Sequence, residues 1–275
     1  MTKHKYFPHF CILLAGSLWG CIGIFNRTIS ACGISAQTIV FFRNTGACLL
    51  LGVMFLLFDR SVFRIRPRHL PIFLCTGVVS ILFFTICYFK SQQVSPLSTA
   101  AILLYTAPTF VVVLSALVIA FLGCCFVAGI LSGSLSLSRQ GLLLGVGSGF
   151  FYATYSIFGR FALAHYQPFT VTFYTFLVAG LGSLFVVRPA EVSLVLHTPK
   201  ALLMALGLML FATVLPYLFY TKGLNDLGDG GKASILASIE PVVASLVGVL
   251  VFGEPMTAGV ILGLVCILIS VYILR

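Results

Sequence analysis

The sequence predicts an all-helical protein that crosses a lipid bilayer many times, and three observations carry that expectation. Of its 275 residues, 60% are hydrophobic and 8% charged, where a soluble domain carries about 25% charged residues. So little polar surface cannot cover a water-facing exterior, whereas lipid asks for none. The apolar residues fall into blocks about 20 residues long, the length at which a helix crosses about 30 Å of hydrocarbon. The formal charge of +10 sits mainly on basic residues spread thinly between those blocks. That distribution sets loop orientation and gives no reason to expect a nucleic-acid partner.

The blocks can be taken in order. The first, near Phe7–Phe25, follows Lys3 and Lys5; it is long for a signal peptide and eight more blocks follow, so it reads as a retained span. The second runs near Gly33–Phe58 and is followed by Arg60, Arg64, Arg66 and Arg68. That loop is expected on the cytoplasmic side, and the N-terminus with it. Next come Leu70–Phe89, Leu97–Leu131, Gly141–Gly159, Phe169–Val187, Ala201–Thr221, Ala233–Phe252 and Met256–Leu274. The loops from Arg188 to Lys200 and from Lys222 to Lys232 are mixed in sign or sparse and orient little. Cys11, Cys21, Cys48, Cys75, Cys87, Cys124, Cys125 and Cys266 all lie within apolar blocks without metal-ligand spacing, and read as small buried hydrophobes. Neither a metal nor a cofactor is expected.

An internal repeat divides the chain. Trp19-Gly20 recurs as Tyr152-Ala153, Arg27 as Arg160 and Pro108 as Pro241, at a constant offset of 133 residues. Phe41-Phe42-Arg43 matches Phe173-Tyr174-Thr175, and Lys90 matches Lys222, at an offset of 132. Residues 1–131 and 132–275 are therefore expected to be two copies of one unit. The pattern resembles the drug/metabolite transporter superfamily, of the EamA type. The residues that carry the resemblance are Leu18-Trp19-Gly20, Arg43, Ala100-Ala101 to Pro108, Ala233-Ser234-Ile235-Leu236 to Glu240-Pro241, and Gly253-Glu254. The resemblance implies ten helices in two five-helix halves of opposite topology around a central cavity, with both termini cytoplasmic. It also implies a bacterial cytoplasmic-membrane location.

One stretch departs from the repeat. Ser91 to Ser138 contains no charged residue, and the best counterpart of Gly263 is Ala116, an offset of 147 rather than 133. About 14 residues are missing near Ser115, so the fourth and fifth spans look fused into Leu97–Leu131. Either the deletion is real or residues are absent from the chain.

An ionisable group inside a span costs about 2.5–3.5 kcal/mol on insertion scales, so each one needs a reason. Glu240 shares a helix face with Ala233, Ala237, Ala244 and Gly248, small residues that let helices approach, which turns that face into the bundle. Pro241 leaves the carbonyl of Ala237 without its usual donor. A carboxyl there can bind a substrate amine, carry a proton, or only pin two helices. Arg43, about ten residues into its span, needs a partner or a polar pocket. Lys90 and Lys222 end matching blocks; they could draw in an anionic substrate or snorkel to the interface. Gly141, Gly145, Ser148, Tyr152, Tyr155 and Gly159 form a stripe suited to a cavity wall, with Trp19 as the repeat counterpart of Tyr152. Tyr88, Tyr105, Tyr217 and Tyr220 fit either that cavity or the membrane interface. Pro108, Pro216 and Pro241 are candidate kinks or hinges.

The expected function is a secondary transporter of a small metabolite, an amino acid or similar amphipathic solute, working by alternating access as a proton-coupled exporter or a facilitator. No phosphate-binding loop is present, which argues against nucleotide hydrolysis. A membrane enzyme would need clustered acids and bases that six Asp and Glu residues barely supply. A non-transporting scaffold is the remaining alternative.

Overall fold

A computed structural model describes residues 6–105, 138–227 and 236–273, and every regular element among them is helical. Helices α1 (Phe7–Gly20) and α2 (Ile22–Ser30) form one apolar span of 24 residues, bent at Cys21. Gly33, at φ +82°, makes the turn into α3 (Ala36–Phe58), a left-handed conformation that glycine adopts without a Cβ clash. The third span, Pro67–Val94, contains α4 (Leu70–Leu74), a π-helical stretch over Cys75–Leu82, and α5 (Phe83–Val94). The chain turns at Pro96 into α6 (Leu97–Leu104).

The second half begins with α7 (Arg139–Leu163) and α8 (Pro168–Ser183), followed by the short α9 (Pro189–His197). Then come α10 (Pro199–Met209), a second π-helical stretch over Leu210–Val214, and α11 (Leu215–Leu227). The last two helices are α12 (Ile239–Phe252) and α13 (Ala258–Ile273). Helices α8, α9 and α10 each open with a proline at the first turn, where the missing N–H has no intrahelical partner to lose. Helix α12 stops at Gly253, whose φ of +66° is the left-handed cap that releases the chain.

Several sequence boundaries shift. The first span runs on to Ser30 and the third to Val94, so Lys90 lies within α5 and not at its end. The eighth block, Ala233–Phe252, is interrupted at Ser238, which places Glu240 in the first turn of α12. Of the block Leu97–Leu131, only the part up to Tyr105 is described; the fusion near Ser115 and the kink at Pro108 lie outside the described residues.

The packing has the polarity of a protein dissolved in lipid. Large apolar side chains such as Phe58, Phe185 and Leu250 face outward, while Asn26, Arg43, Asn44, Thr85, Ser91 and Gln92 are buried. Hydrocarbon solvates the first group, and the second must find partners inside. Helix α1 packs on α11 and α12, α5 on α7, and α8 on α3 and the first π-helical stretch. The α1–α12 approach is closest at Gly20, where a Cβ would stand 2.5 Å from the Cβ of Val243 and 2.8 Å from the carbonyl oxygen of Glu240.

Glu191, outside the spans, clamps α9 onto the start of α3. Its carboxylate accepts from the N–H and the hydroxyl of Ser35 and pairs with Arg188 at 3.1 Å. Burial pushes this carboxyl up, but the hydrogen bonds from Ser35, Thr38 and Arg188 outweigh it and hold it below its ordinary value. A carboxyl depressed in the fold stabilises above its unfolded value, and that contribution is lost as pH falls through the folded one. The Tm of the detergent-solubilised protein should therefore drop on acidification below about pH 4.3, and Glu191→Gln should flatten that limb. Gly20→Ala should destabilise by about 1–3 kcal/mol through overpacking. Gly159→Ala, where an added Cβ meets nothing within 4 Å, should leave the same thermal melt unchanged or slightly raised.

Candidate functional site

The interior carries a cation that local structure does little to neutralise. Arg43 is 2% exposed on α3, and its guanidinium stays charged whatever its surroundings. Its Nε donates to Thr213 Oγ1 at 3.2 Å and its Nη1 to Thr85 Oγ1 at 3.0 Å. The rings of Phe89 and Phe176 lie 5.9 and 5.7 Å from its central carbon, close enough for a favourable cation–π contact. Among the described residues no carboxylate reaches ion-pair distance of it. Neutral hydroxyls and ring faces thus hold a full charge inside the bundle.

Both hydroxyls come from the two irregular spans. Thr213 lies in the second π-helical stretch and Thr85 follows three residues after the first. The two stretches end at Leu82 and Val214, 132 residues apart, which is the repeat offset carried by Lys90 and Lys222. A π-helical turn widens the backbone and frees carbonyls, and such turns gather at functional sites. Thr85 and Thr213 use the freedom locally, since their hydroxyls also donate to the carbonyls of Ile81 and Leu208.

Glu240, 8% exposed, faces the same interior from the first turn of α12. The Tyr105 hydroxyl lies 3.2 Å from its Oε2 and 3.1 Å from the carbonyl oxygen of Ala237. The carbonyl that Pro241 deprives of an intrahelical donor is therefore satisfied by a side chain from α6. Arg43 and Glu240 are within electrostatic reach of one another, and Tyr88 and Tyr217 interact with both.

Aromatic side chains pack around these residues. Trp19 meets Tyr217 edge-on at 5.3 Å and Tyr220 at 5.5 Å; Tyr217 also meets Phe176 edge-on at 5.1 Å. Tyr152 packs on Phe84 at 5.1 Å, and both Tyr152 and Tyr155 lie in the electrostatic field of Tyr217 and Tyr220. The Tyr88 hydroxyl is buried with no hydrogen bond of good geometry, its nearest side-chain partner among the described residues being Gln92. A buried donor in that state is costly, and a bound molecule would relieve it.

Glu240, Arg43, Trp19, Tyr152 and Tyr155 thus come together. Lys222 does not join them: it is exposed on α11 and pairs with Asp226 at 2.9 Å. Lys90 is half-buried beside Cys87 on α5. Pro216 and Pro241 are the immediate neighbours of Tyr217 and Glu240. Tyr88, Tyr105 and Tyr217, for which the interface was an open alternative, line the interior. Thr85 and Thr213 were not singled out, because threonines in an apolar span are ordinary packing residues until the helix geometry turns their hydroxyls onto a cation.

Comparison with known proteins agrees with this architecture. The sequence profile described as the EamA-like transporter family matches twice, over residues 7–137 and 139–275. An uncharacterized transporter of Archaeoglobus fulgidus is 28% identical over 272 residues, covering 95% of this chain and 94% of that protein. The uncharacterized inner membrane transporter YicL of Salmonella typhimurium is 26% identical over 287 residues, with 96% and 93% covered. A crystal structure at 15% identity superposes with a TM-score of 0.67, covering 97% of this chain and 96% of the other, and so shares the fold.

Tyr105→Phe should expose the dependence of α12 on this hydroxyl. Removing it strands the Ala237 carbonyl and one oxygen of Glu240, an expected loss of about 1–3 kcal/mol. Restoring the backbone donor with Pro241→Ala should recover part of that loss in the same melt.

Proposed function

The chain belongs to the EamA-like transporter family, and from that premise we propose that it is a secondary transporter of a zwitterionic metabolite, an amino acid or similar amphipathic solute. The observation that carries this reading is the buried Arg43, which has no carboxylate partner among the described residues while Glu240 lies within its field. A solute bearing a carboxylate and an amine supplies both missing charges at once. The carboxylate pairs with Arg43 and takes the Tyr88 hydroxyl; the amine meets Glu240. Trp19, Tyr152, Tyr155 and Tyr217 offer apolar faces to the rest of the molecule and phenols to its polar edges.

Glu240 is also the carrier proposed for a coupling proton. When solute is absent, a proton neutralises the carboxyl; when the amine arrives, the proton leaves, so that the two are exchanged across the membrane. Residues 1–131 and 132–275 act as inverted halves rocking about the site, with Pro216, Pro241 and Pro108 absorbing the bending. The N-terminus and the Arg60–Arg68 loop lie on the cytoplasmic side of a bacterial inner membrane, and the direction is export. The support for the location and the inverted halves is the charge pattern, the offset repeat, and the similarity to the Salmonella inner membrane transporter.

Reconstitution into liposomes with a panel of labelled amino acids tests the reading. Saturable flux that responds to an imposed pH gradient is expected. Glu240→Gln, which keeps the shape but cannot titrate, should lower gradient-driven flux by at least about tenfold, equivalent to about 1.4 kcal/mol, with normal extraction in detergent. Unchanged rate and pH response in that variant would reduce Glu240 to a packing residue.

A further inference from the structure

Three ion pairs join described residues, and only one links distant segments. Arg188–Glu191 and Lys222–Asp226 each stay within one turn of a helix, whereas Arg27 and Glu254 meet at 2.6 Å across 227 positions of sequence. Arg27 stands near the end of α2 and Glu254 just beyond the glycine that stops α12. This is the end of the bundle opposite the N-terminus and the arginine-rich loop.

The pair is wired into four segments. Arg27 Nη1 holds Glu254, its Nε donates to the Gln92 carbonyl at 2.9 Å, and its Nη2 to the Ser95 carbonyl at 2.7 Å. The ring of Phe252 lies 4.8 Å from its central carbon. Both oxygens of Glu254 accept from the N–H of Leu97 at 2.9 Å. The cation thus sits at the C-terminal end of α5 and the anion at the N-terminal end of α6, each against the complementary helix-end charge. Gly248 leaves the room the carboxylate needs, since a Cβ there would collide with Glu254.

Position makes this pair a gate. Gly16, Gly20, Gly23 and Arg27 lie on one face of the first span; the glycines press on Ile239, Val243 and Leu97 respectively, so this face is the seam with α12 and α6. The backbone carbonyl of Glu240 meets that seam at the level of Gly20, and Arg27 lies about two turns further along it. The side chains of Arg27 and Glu254 remain 21% and 11% exposed. The pair is therefore not sealed inside the bundle, so separating it does not strand a charge in a closed interior.

The device is one-sided. Arg27 has the repeat counterpart Arg160, but the first-half counterpart of Gly253-Glu254 falls in Ser91–Ser138, which contains no acidic residue. We infer that Arg27 and Glu254 are the extracellular gate of the transport cycle, and that the chain rests with this end latched and the site reached from the cytoplasm. The inference builds on the transporter reading above.

The test uses a variant in which the nine native cysteines are replaced and a single cysteine is placed at Tyr220, beside Trp19. A membrane-impermeant thiol reagent is added outside right-side-out vesicles, and flux is measured in the same preparation. Glu254→Gln keeps an acceptor for the Leu97 amide and removes only the ion pair. It should speed external labelling by at least about tenfold, equivalent to about 1.4 kcal/mol, and slow labelling from the inside. Arg27→Gln should do the same, and the double variant no more than either alone. Unchanged external labelling alongside preserved flux overturns the gate and leaves the transporter standing. Equal acceleration from both sides, or failure to extract a folded protein, makes the pair a structural staple and also overturns the gate. Faster external labelling with no saturable flux in any variant upholds the gate and overturns the transporter reading.

Discussion

A guanidinium that cannot lose its proton, enclosed where lipid and protein exclude water, constrains everything around it. Arg43 is held by Thr85, Thr213, Phe89 and Phe176, and the hydroxyls reach it from the π-helical regions of two spans. Thr213 lies in the second π-helical stretch and Thr85 in α5, three residues beyond the first, and the two stretches end 132 residues apart. Glu240 lies within electrostatic reach of Arg43, and its position depends on Tyr105 and on the helix break before it. The site is therefore built from irregularities: two π-helical stretches, one break at Ser238, and prolines beside Tyr217 and Glu240.

The ends of the bundle follow a different logic. At the end opposite the N-terminus, Arg27, Glu254, Ser95 and Leu97 exchange charge and helix-end dipoles in one cluster. At the other end Tyr166 joins His69 and the Arg66 amide through its hydroxyl. Between them, close glycine contacts along the first span let α1 lie directly on α12 and bring Trp19 to the tyrosines of α11. The first span thus packs through small-residue contacts along its length, with polar clusters at both rims.

Much of this was legible in the sequence because the bilayer is an exacting solvent. Block length and the scarcity of charge point to the class, and the offset of Trp19, Arg27 and Lys90 from their later partners suggests two copies of one unit. Glu240 and Arg43 stood out because ionisable groups in spans are rare. What stayed hidden were properties of helix geometry. Nothing in Cys75–Leu82 or Leu210–Val214 announces a π-helical turn, since those residues would serve equally well in an α-helix. Without that turn Thr85 and Thr213 read as filler. Lys222 matched Lys90 in the repeat and so looked like a cavity residue, but the Asp226 one turn later offers a cheaper partner at the surface. Tyr88, Tyr105 and Tyr217 were ambiguous for a related reason: a phenol suits a wet interface and a polar cavity equally, and only packing decides between them.

The central claim is that Arg43 is a binding charge awaiting a carboxylate. Its most direct test is the shift in melting temperature of the purified protein across a panel of amino acids and their methyl esters. The account predicts that one or more free acids raise the Tm, that the matching esters do not, and that Arg43→Gln abolishes the shift while remaining folded. Equal stabilisation by acid and ester, or a shift that survives Arg43→Gln, would contradict it.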